Sequence, residues 1–379
     1  MISPARRLRV LHVIDSLDLG GAQVVLLNLI QHADTARFEI DAACLHGHGV
    51  YWERLRAAGI RAHSLSFHHY FPSYIPGLLA LMMTRRYDIV HAHLLAANVI
   101  AKPLAALCGV RVRINHDHCN DKLTDPRQWA PAADKLANRC ASHVITVSES
   151  ARKYVVEVEQ VPADRVTTIH NGVDLEAFQP RPEQRESARA RFQLPADAFV
   201  VAGIGRLTHQ KNFALFLEVA RAVLDVAPQA MFVLAGTGED EPALRLQAEK
   251  LGIAPRVRFL GFVGEMAALY PALDTLLLTS RYEGLPITIL EAMAVGLPIV
   301  SAKLDGVQEI LVDREDAALV PPTDNSNDYA ARILELISQP EIAQHQAAAA
   351  LEKVRERYSA VAMTRAVEAI YDRCLGPLP

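Results

Sequence analysis

Two glutamates bracket an apolar segment in the second half of the chain. Residues 279–301 read TSRYEGLPITILEAMAVGLPIVS, so that Glu283 stands at a turn and Glu291 lies within the following hydrophobic run. Gly284 permits a tight turn and Pro286 suits the first turn of a helix, which predicts a strand, a turn and a helix. Amides at a helix N-terminus bind oxyanions, and a carboxylate such as Glu291 can accept hydrogen bonds from both ribose hydroxyls. This corner is predicted to bind a nucleotide sugar, the alternative being a helix with solvated glutamates.

A cationic pair precedes this segment. Arg206 and Lys211 lie in GIGRLTHQKN (203–212), after one predicted strand and before a predicted helix. A guanidinium and an ammonium group can hold a diphosphate and neutralise its charge as it leaves, without a metal ion. We expect the side chains of Lys211 and Glu291 to be exposed at this site.

Glycine turns open two further helical segments. Gly20 and Gly21 follow the first predicted strand, and Gly236 lies in LAGTGEDEP (234–242). Such turns allow a phosphate or sugar to approach the backbone closely, and the second is predicted to lie near the nucleotide base; a plain tight turn is the alternative for both. The chain has no G-x-G-x-x-G sequence at these turns, which argues against a dinucleotide-dependent dehydrogenase.

Histidines are frequent, with fifteen in the chain. Three pairs invite a metal interpretation, namely His68 with His69, His91 with His93, and His116 with His118. Alternate positions of a strand face the same side, so that a spaced pair can supply two ligands. Because no acidic or cysteine partner accompanies them at ligand spacing, we predict that no metal is bound. His116, at the end of a predicted strand, is instead expected to hydrogen-bond a sugar hydroxyl, with ordinary structural histidines as the alternative.

These residues must be positioned by the elements between them. Apolar runs of Val, Ile and Leu alternate with helical periodicity throughout, which is typical of parallel strands buried on both faces. The predicted strands are 8–14, 38–45, 61–67, 87–93, 110–116, 143–148 and 165–170 in the first half, and 199–204, 230–236, 256–262, 274–280, 297–302 and 316–322 in the second. The fold class is therefore α/β, with two Rossmann-like, doubly wound parallel-sheet domains facing a cleft. Ligands are expected beyond the carboxyl ends of the strands.

The predicted domain boundary follows the last strand of the first half. Asn171-Gly172 is a turn signal and a candidate hinge, and the polar, proline-bearing segment after it is the predicted linker. We assign residues 1–178 to an N-terminal domain and residues 179–356 to a C-terminal domain, which carries the predicted nucleotide-sugar site. A terminal helix at about 357–379 is predicted to pack back on the first domain.

Composition excludes several classes of protein. The 379 residues carry a net charge of −4, with no clustered basic face, which argues against nucleic-acid binding. The five cysteines are scattered and form no C-x-x-C pair, which favours a reducing cytoplasm over a disulfide framework. The first apolar run is too short for a signal peptide, and the segment at 75–83 is too short to span a bilayer.

The chain resembles the retaining glycosyltransferases of family four, which have the two-domain GT-B fold. The resemblance covers nearly the whole chain and rests on GGAQ, HAH, NHD, HNGVD, GRLTHQKN, LAGTGED and EGLPITILEAMAVGLPIV, which occur in the family's order. The two glutamates separated by seven residues are its specific element.

The resemblance implies that residues 1–178 form an acceptor-binding domain and residues 179–356 a nucleotide-sugar-binding domain. It also implies a role for each site residue. Arg206 and Lys211 would bind the donor diphosphate, Glu291 the ribose, and Glu283 the transferred sugar. The remaining contacts would come from the backbone amides of Gly284, Leu285 and Pro286, from Gly21 near the phosphates, and from His116 near the reacting carbon. The four groups expected to act in catalysis are His116, Glu283, Arg206 and Lys211.

The implied reaction is metal-independent and needs no cofactor. A hexosyl unit would pass from a nucleotide diphosphate sugar, with UDP favoured and GDP next, to a glycan or lipid-linked acceptor. The expected setting is bacterial polysaccharide or envelope glycan synthesis in the cytoplasm, with peripheral contact at the inner face of the membrane.

Two positions depart from the family pattern. Asn115 stands where relatives often carry Thr or Ser, and Asp305-Gly306 replaces a common glycine pair. Acceptor contacts are therefore less determined by the resemblance than donor contacts. The alternatives are a GT-B-like sugar-nucleotide epimerase or phosphorylase, and a non-catalytic sugar-nucleotide-binding protein. A further alternative, a two-lobed solute receptor, would have to be exported, and the first apolar run is too short for a signal peptide.

Overall fold

The chain divides into two α/β units. A computed structural model describes residues 6–65, 73–118 and 130–376. The first unit consists of the residues up to Gly172 together with those from Ala360 onward, and the second is Val173–Ser359. The sequence analysis placed these boundaries at 178/179 and 356/357.

The strands alternate with helices throughout the described residues. The strands are β1 Leu8–Ser16, β2 Phe38–His46, β3 Arg61–Ser64, β4 Ile89–His93, β5 Val112–Asp117, β6 His143–Thr146, β7 Val166–Thr168, β8 Val200–Ile204, β9 Met231–Ala235, β10 Val257–Gly261, β11 Thr275–Leu278, β12 Ile299–Ala302 and β13 Ala318–Val320. Each overlaps one of the apolar runs predicted from the sequence, and most are shorter by a few residues.

Helices cover most of the connections. They are α1 Gly21–Gln31, α2 Trp52–Ala57, α3 Tyr74–Arg85, α4 Leu95–Leu107, α5 Ala130–Ala137, α6 Glu149–Glu157, α7 Arg185–Arg191, α8 Phe213–Leu224, α9 Glu241–Lys250, α10 Met266–Leu269, α11 Ile287–Val295, α12 Asp305–Gln308, α13 Ser326–Ser338, α14 Pro340–Arg357 and α15 Ala360–Leu375. No helix of the described ranges combines the length and the apolar character that crossing a membrane requires.

The first unit is built on a parallel sheet in the order β3-β2-β1-β4-β5-β6-β7. The order reverses between β1 and β4, which is the switch point where doubly wound sheets bind ligands. All five residues of β4 are buried, whereas the edge strand β3 is half-exposed. This is why β4 reads as a continuous buried segment in the sequence.

The last helix of the chain lies on this first unit. The Tyr371 ring of α15 meets Phe38 edge-on at 5.8 Å, and the carboxylate of Glu368 accepts a hydrogen bond from the backbone N–H of Asp34 at 2.8 Å. Buried aromatic packing and a charge-assisted hydrogen bond therefore anchor α15.

The second unit has the parallel order β10-β9-β8-β11-β12-β13. Strands β8 and β11 are its switch point, and all of their residues are buried. The predicted α/β class with two parallel sheets is therefore confirmed.

In the second unit the backbone N–H of Val173 donates to the Tyr358 carbonyl at 2.8 Å, and Val173 pairs with Ser359, so the first and last residues of the unit run side by side.

Candidate functional site

An ion pair joins the two loops at the switch point of the second unit. Lys211, from the loop after β8, places its Nζ 2.6 Å from Oε1 of Glu283, in the loop after β11. The two side chains are 14% and 7% exposed, so the pair is largely desolvated. Formation of the sheet does not require a partly buried ion pair at the carboxyl ends of two central strands, where ligands of such sheets bind.

The loops that carry this pair are tied together. The Thr279 hydroxyl donates to the Lys211 carbonyl at 3.2 Å, and the Arg281 N–H donates to the Gln210 carbonyl at 2.8 Å. These bonds hold Lys211 and Glu283 in register although they are far apart in sequence. Preorganised groups of this kind suit the binding of an anion in a defined position.

Glu291 is buried and takes a hydrogen bond from a tyrosine. The Tyr270 hydroxyl donates to Oε2 of Glu291 at 2.7 Å, and the two residues are 2% and 4% exposed. Burial, followed by the charge of Glu291, raises the pKa of Tyr270 well above its ordinary value, so Tyr270 remains a neutral donor. The expectation that Glu291 is exposed is wrong, because α11 is apolar and buried around most of its circumference. Lys211 is likewise largely covered.

The N-terminal end of α11 has backbone donors without a side-chain cap. Pro286 occupies the cap position and the helix begins at Ile287. The backbone N–H of Gly284 has no hydrogen-bond partner among the residues described. Pro286 cannot contribute an amide hydrogen, which corrects the prediction that it would donate alongside Gly284 and Leu285. It can only shape the turn.

Two glycines near these loops are required by packing. A Cβ on Gly236 would lie 1.9 Å from the carbonyl oxygen of Gly205, and Gly236 has a φ of +141°. A Cβ on Gly306 would lie 1.8 Å from the carbonyl oxygen of Gly284. Gly306 is therefore needed for close backbone contact. For Gly236 the structure supplies a packing reason, and its place near the base stays a prediction.

Arg206 differs from Lys211 in being exposed. Its side chain has neither a hydrogen bond nor an ion pair with the part of the chain that the structure describes. An unengaged guanidinium beside the β8 loop can therefore accept an anionic ligand without first breaking a protein contact.

Gly21 behaves differently from Gly236. It is the first residue of α1, is exposed, and a Cβ built on it would meet nothing within 4 Å. The fold has room for a side chain here, so packing does not explain the glycine. The place of Gly21 near the phosphates of a ligand stays a prediction.

His116 belongs to a cluster of histidines on three adjacent strands. The histidine cluster consists of His12 on β1, His91 and His93 on β4, and His116 and His118 at the end of β5. The rings of His91 and His93 stack at 4.4 Å, and those of His116 and His118 at 4.3 Å. Burial lowers the pKa of every member, to about 3 for His12 and His118. The cluster is therefore neutral at physiological pH.

The cluster also bears on the metal prediction. Two sets of three, His12 with His91 and His93, and His93 with His116 and His118, bring ring nitrogens within 4.8 Å. Hydrogen bonds already join these nitrogens, including His12 Nδ1 to His93 Nε2 at 3.0 Å and His93 Nδ1 to His118 Nε2 at 3.0 Å. These nitrogens are thus engaged with one another, and the absence of a bound metal stays a prediction. The pair His68 and His69 lies outside the described residues.

Sequence reasoning missed Tyr270, His91 as a partner of His116, and Tyr371. Tyr270 stands in a single 3₁₀ turn at 270–272, and Tyr371 in the terminal helix. Neither position has a motif or spacing that connects it to the residue it contacts. Only packing of distant elements reveals them.

Comparisons with known proteins agree with this geometry. Residues 19–177 match the description Glycosyltransferase Family 4, and residues 184–353 match Glycosyl transferases group 1. The putative glycosyltransferase EpsF of Bacillus subtilis is 26% identical over 326 residues, covering 82% of both chains. The Escherichia coli UDP-Gal:alpha-D-GlcNAc-diphosphoundecaprenol alpha-1,3-galactosyltransferase is 27% identical over 254 residues, covering 65% of this chain and 66% of that protein.

Solved structures give the fold. Anabaena Alr3699/HepE in complex with UDP and glucose superimposes with a TM-score of 0.87 at 22% identity, covering 96% of this chain and 99% of the other. The two parallel-sheet units and the loops at their switch points thus define a glycosyltransferase of the GT-B fold. The chain belongs to the glycosyltransferase family 4 and group 1 enzymes, as the sequence motifs predicted.

Proposed function

We propose that the chain is a retaining, metal-independent glycosyltransferase that moves a hexosyl unit from a UDP-sugar onto a glycan or lipid-linked acceptor in bacterial polysaccharide synthesis. The proposal rests chiefly on the ion pair between Lys211 and Glu283, which joins a cation and a carboxylate at the switch point of the second unit. A nucleotide sugar needs both, since its diphosphate is anionic and its sugar presents hydroxyl donors.

Lys211 can serve the diphosphate without leaving Glu283. An ammonium group has three donors, so that one can stay on the carboxylate while others turn to phosphate oxygens. Arg206, exposed and unengaged by the described residues, supplies a second, bidentate donor. The N–H of Gly284 is a further donor for an oxygen of the transferred sugar.

Glu291 is assigned to the ribose. The bond from Tyr270 fixes its carboxylate, and two ribose hydroxyls can donate to the oxygens together. A buried carboxylate with few competing waters forms stronger hydrogen bonds to a ligand than an exposed one.

The proposed reaction exchanges one bond for another on the same face of the sugar. The bond between the anomeric carbon and the diphosphate oxygen breaks, and a bond to the acceptor oxygen forms. The acceptor's proton passes to the departing phosphate, and the positive side chains of Lys211 and Arg206 stabilise the charge that develops there. Positioning supplies the rest of the acceleration, so the scheme needs no metal and no protein nucleophile.

UDP is the favoured nucleotide. HepE was solved with UDP and with UDP-glucose, and the E. coli relative is named for a UDP-Gal donor, with GDP remaining the second choice. That relative's lipid diphosphate acceptor also motivates the proposal that this chain works in the cytoplasm, at the inner face of the membrane.

Ligand-induced stabilisation tests the proposal directly. The unfolding temperature is measured with UDP, GDP, ADP and NAD, each with and without EDTA. The proposal expects a shift with UDP that EDTA leaves unchanged; a shift with NAD alone, or one abolished by EDTA, contradicts it. Incubating the UDP-sugar alone then separates the alternatives, because an epimerase converts it to another UDP-sugar, whereas a transferase requires an acceptor.

A further inference from the structure

The histidine cluster contains a hydrogen-bonded chain that ends at an unpartnered nitrogen. The Tyr371 hydroxyl lies 2.6 Å from Nδ1 of His91, and Nε2 of His91 lies 3.1 Å from Nδ1 of His116. Nε2 of His116 is buried and has no hydrogen-bond partner among the residues that the structure describes. All three residues belong to the first unit, and His116 is 1% exposed.

Each neutral imidazole has one N–H and one bare nitrogen, so the chain has only two self-consistent arrangements. If Tyr371 donates to His91, then His91 donates from Nε2 to His116, and the hydrogen of His116 lies on Nε2. If Tyr371 accepts instead, every hydrogen moves to Nδ1, and Nε2 of His116 becomes a bare acceptor.

The hydroxyl of Tyr371 decides between the two arrangements. His91 is its only hydrogen-bond partner in the described part of the chain. In the free protein the first arrangement leaves one buried group without a partner among the described residues, the N–H on Nε2 of His116. The second leaves two, the Tyr371 O–H and the bare Nε2 of His116, which costs more. The first arrangement is therefore the stable one.

The protonation states keep the chain neutral. Burial lowers the pKa of His91 and of His116 well below the ordinary value. Burial, followed by the charge of Glu368, raises the pKa of Tyr371 well above its ordinary value. Over the physiological pH range none of these groups gains or loses a proton, so only the tautomer is variable.

We propose that Tyr371 and His91 are positioning residues that hold His116 in the tautomer with its hydrogen on Nε2. His116 then donates a hydrogen bond to an oxygen of a bound sugar and does not act as a base. This assignment of the ligand rests on the proposed function, whereas the tautomer is a property of the free protein. It also gives the terminal helix α15 a part in the site through Tyr371.

The tautomer is read by NMR of protein carrying ¹⁵N-labelled histidine, without any substrate. Two-bond and three-bond couplings identify which nitrogen of His116 is protonated, and His116→Ala assigns the signal. We expect the hydrogen on Nε2; a His116 with its hydrogen on Nδ1 overturns the proposal. The result does not depend on activity, so a failed transferase assay and a failed tautomer prediction are distinguishable.

Tyr371→Phe tests the origin of the tautomer. Removing the hydroxyl should move the ¹⁵N signal of His91 Nδ1 to the position of an unbonded imine nitrogen and lower the transfer rate about two- to tenfold, the effect of one neutral hydrogen bond. His118→Gln is the matched control, since His118 stacks on His116 but donates to His93 or accepts from it. An unchanged His91 signal in Tyr371→Phe contradicts the proposal.

Substitution of His116 separates a donor from a base. Glutamine retains an N–H donor but cannot remove a proton at neutral pH. We expect His116→Ala to lower the transfer rate about tenfold, at the upper end of the effect of one neutral hydrogen bond, and His116→Gln to restore a measurable part of it. Equal losses in both variants would contradict donation by His116.

Discussion

Replacing Glu291 with glutamine removes a negative charge while preserving volume. Glu291 is 4% exposed and accepts the Tyr270 hydroxyl at 2.7 Å, a bond that the amide oxygen of glutamine can also accept. Unfolding should therefore change little: we expect a free-energy change of at most about 1 kcal/mol, or a shift in the unfolding temperature of roughly 2–4 °C.

The effect on nucleotide binding should be much larger. A hydrogen bond to a charged group contributes about 1.5–3 kcal/mol, and a hydrogen bond between neutral groups contributes less. Loss of the charge should weaken UDP binding by roughly 10- to 150-fold, since about 1.4 kcal/mol is a factor of ten. Isothermal titration of both proteins with UDP measures this difference.

Titrating two nucleotides into two proteins tests whether the ribose is the partner of Glu291. UDP and 2′-deoxy-UDP are titrated into the wild-type protein and into Glu291→Gln. The ratio of the dissociation constant of 2′-deoxy-UDP to that of UDP should fall toward one in the variant. Glu283→Gln, assigned to the transferred sugar, is the control and should keep the wild-type preference. An undiminished preference in Glu291→Gln would refute the assignment of Glu291 to the ribose.

Three other predictions concern charge, backbone and pH. Lys211→Met should lower the transfer rate about 100-fold or more in a steady-state assay, because a cation facing the leaving diphosphate is lost; wild-type kinetics would remove Lys211 from the site. Gly21→Ala should leave the unfolding temperature unchanged yet reduce kcat/KM. Gly236→Ala should lower the unfolding temperature, because its Cβ would collide with a backbone oxygen 1.9 Å away. Equal unfolding temperatures for the two variants would contradict this prediction. Burial lowers the pKa of His143 to about 4 and that of His12 to about 3. Between pH 6.5 and about 4 the unfolded chain therefore binds protons that the folded chain does not. The free energy of unfolding should fall as the pH falls, by about 1.4 kcal/mol per pH unit for each such histidine, and urea titrations at pH 7 and pH 5 test the slope.

Local sequence was sufficient for the elements and for much of the second unit's site. The predicted runs overlap every strand of the described residues. The central strands are rich in Val, Ile and Leu because strands buried on both faces must be apolar along their whole length, whereas the edge strand β3 is half-exposed and more polar. The sequence put Lys211 and Glu283 each in a loop after a predicted strand, and parallel strands deliver the loops that follow them to one edge of the sheet. That their two strands are neighbours and that the two side chains form an ion pair was shown by the structure.

Burial and partners were not predictable in this way. Glu291 was expected to be exposed because it was assigned to the ligand site. Its burial and its acceptance of the Tyr270 hydroxyl depend on a 3₁₀ turn packing against α11. The packing need for Gly236 and the open space at Gly21 likewise could not be distinguished from sequence, because both residues simply read as glycine turns.

The sequence by itself determined the α/β class, the two parallel sheets and the residues after their central strands, because periodicity and turn chemistry are local properties. The tertiary structure alone decided that Tyr371 from the last helix meets His91, which in turn meets His116. Contacts between elements separated by most of the chain depend on how sheets and helices pack, and no spacing within a segment encodes them.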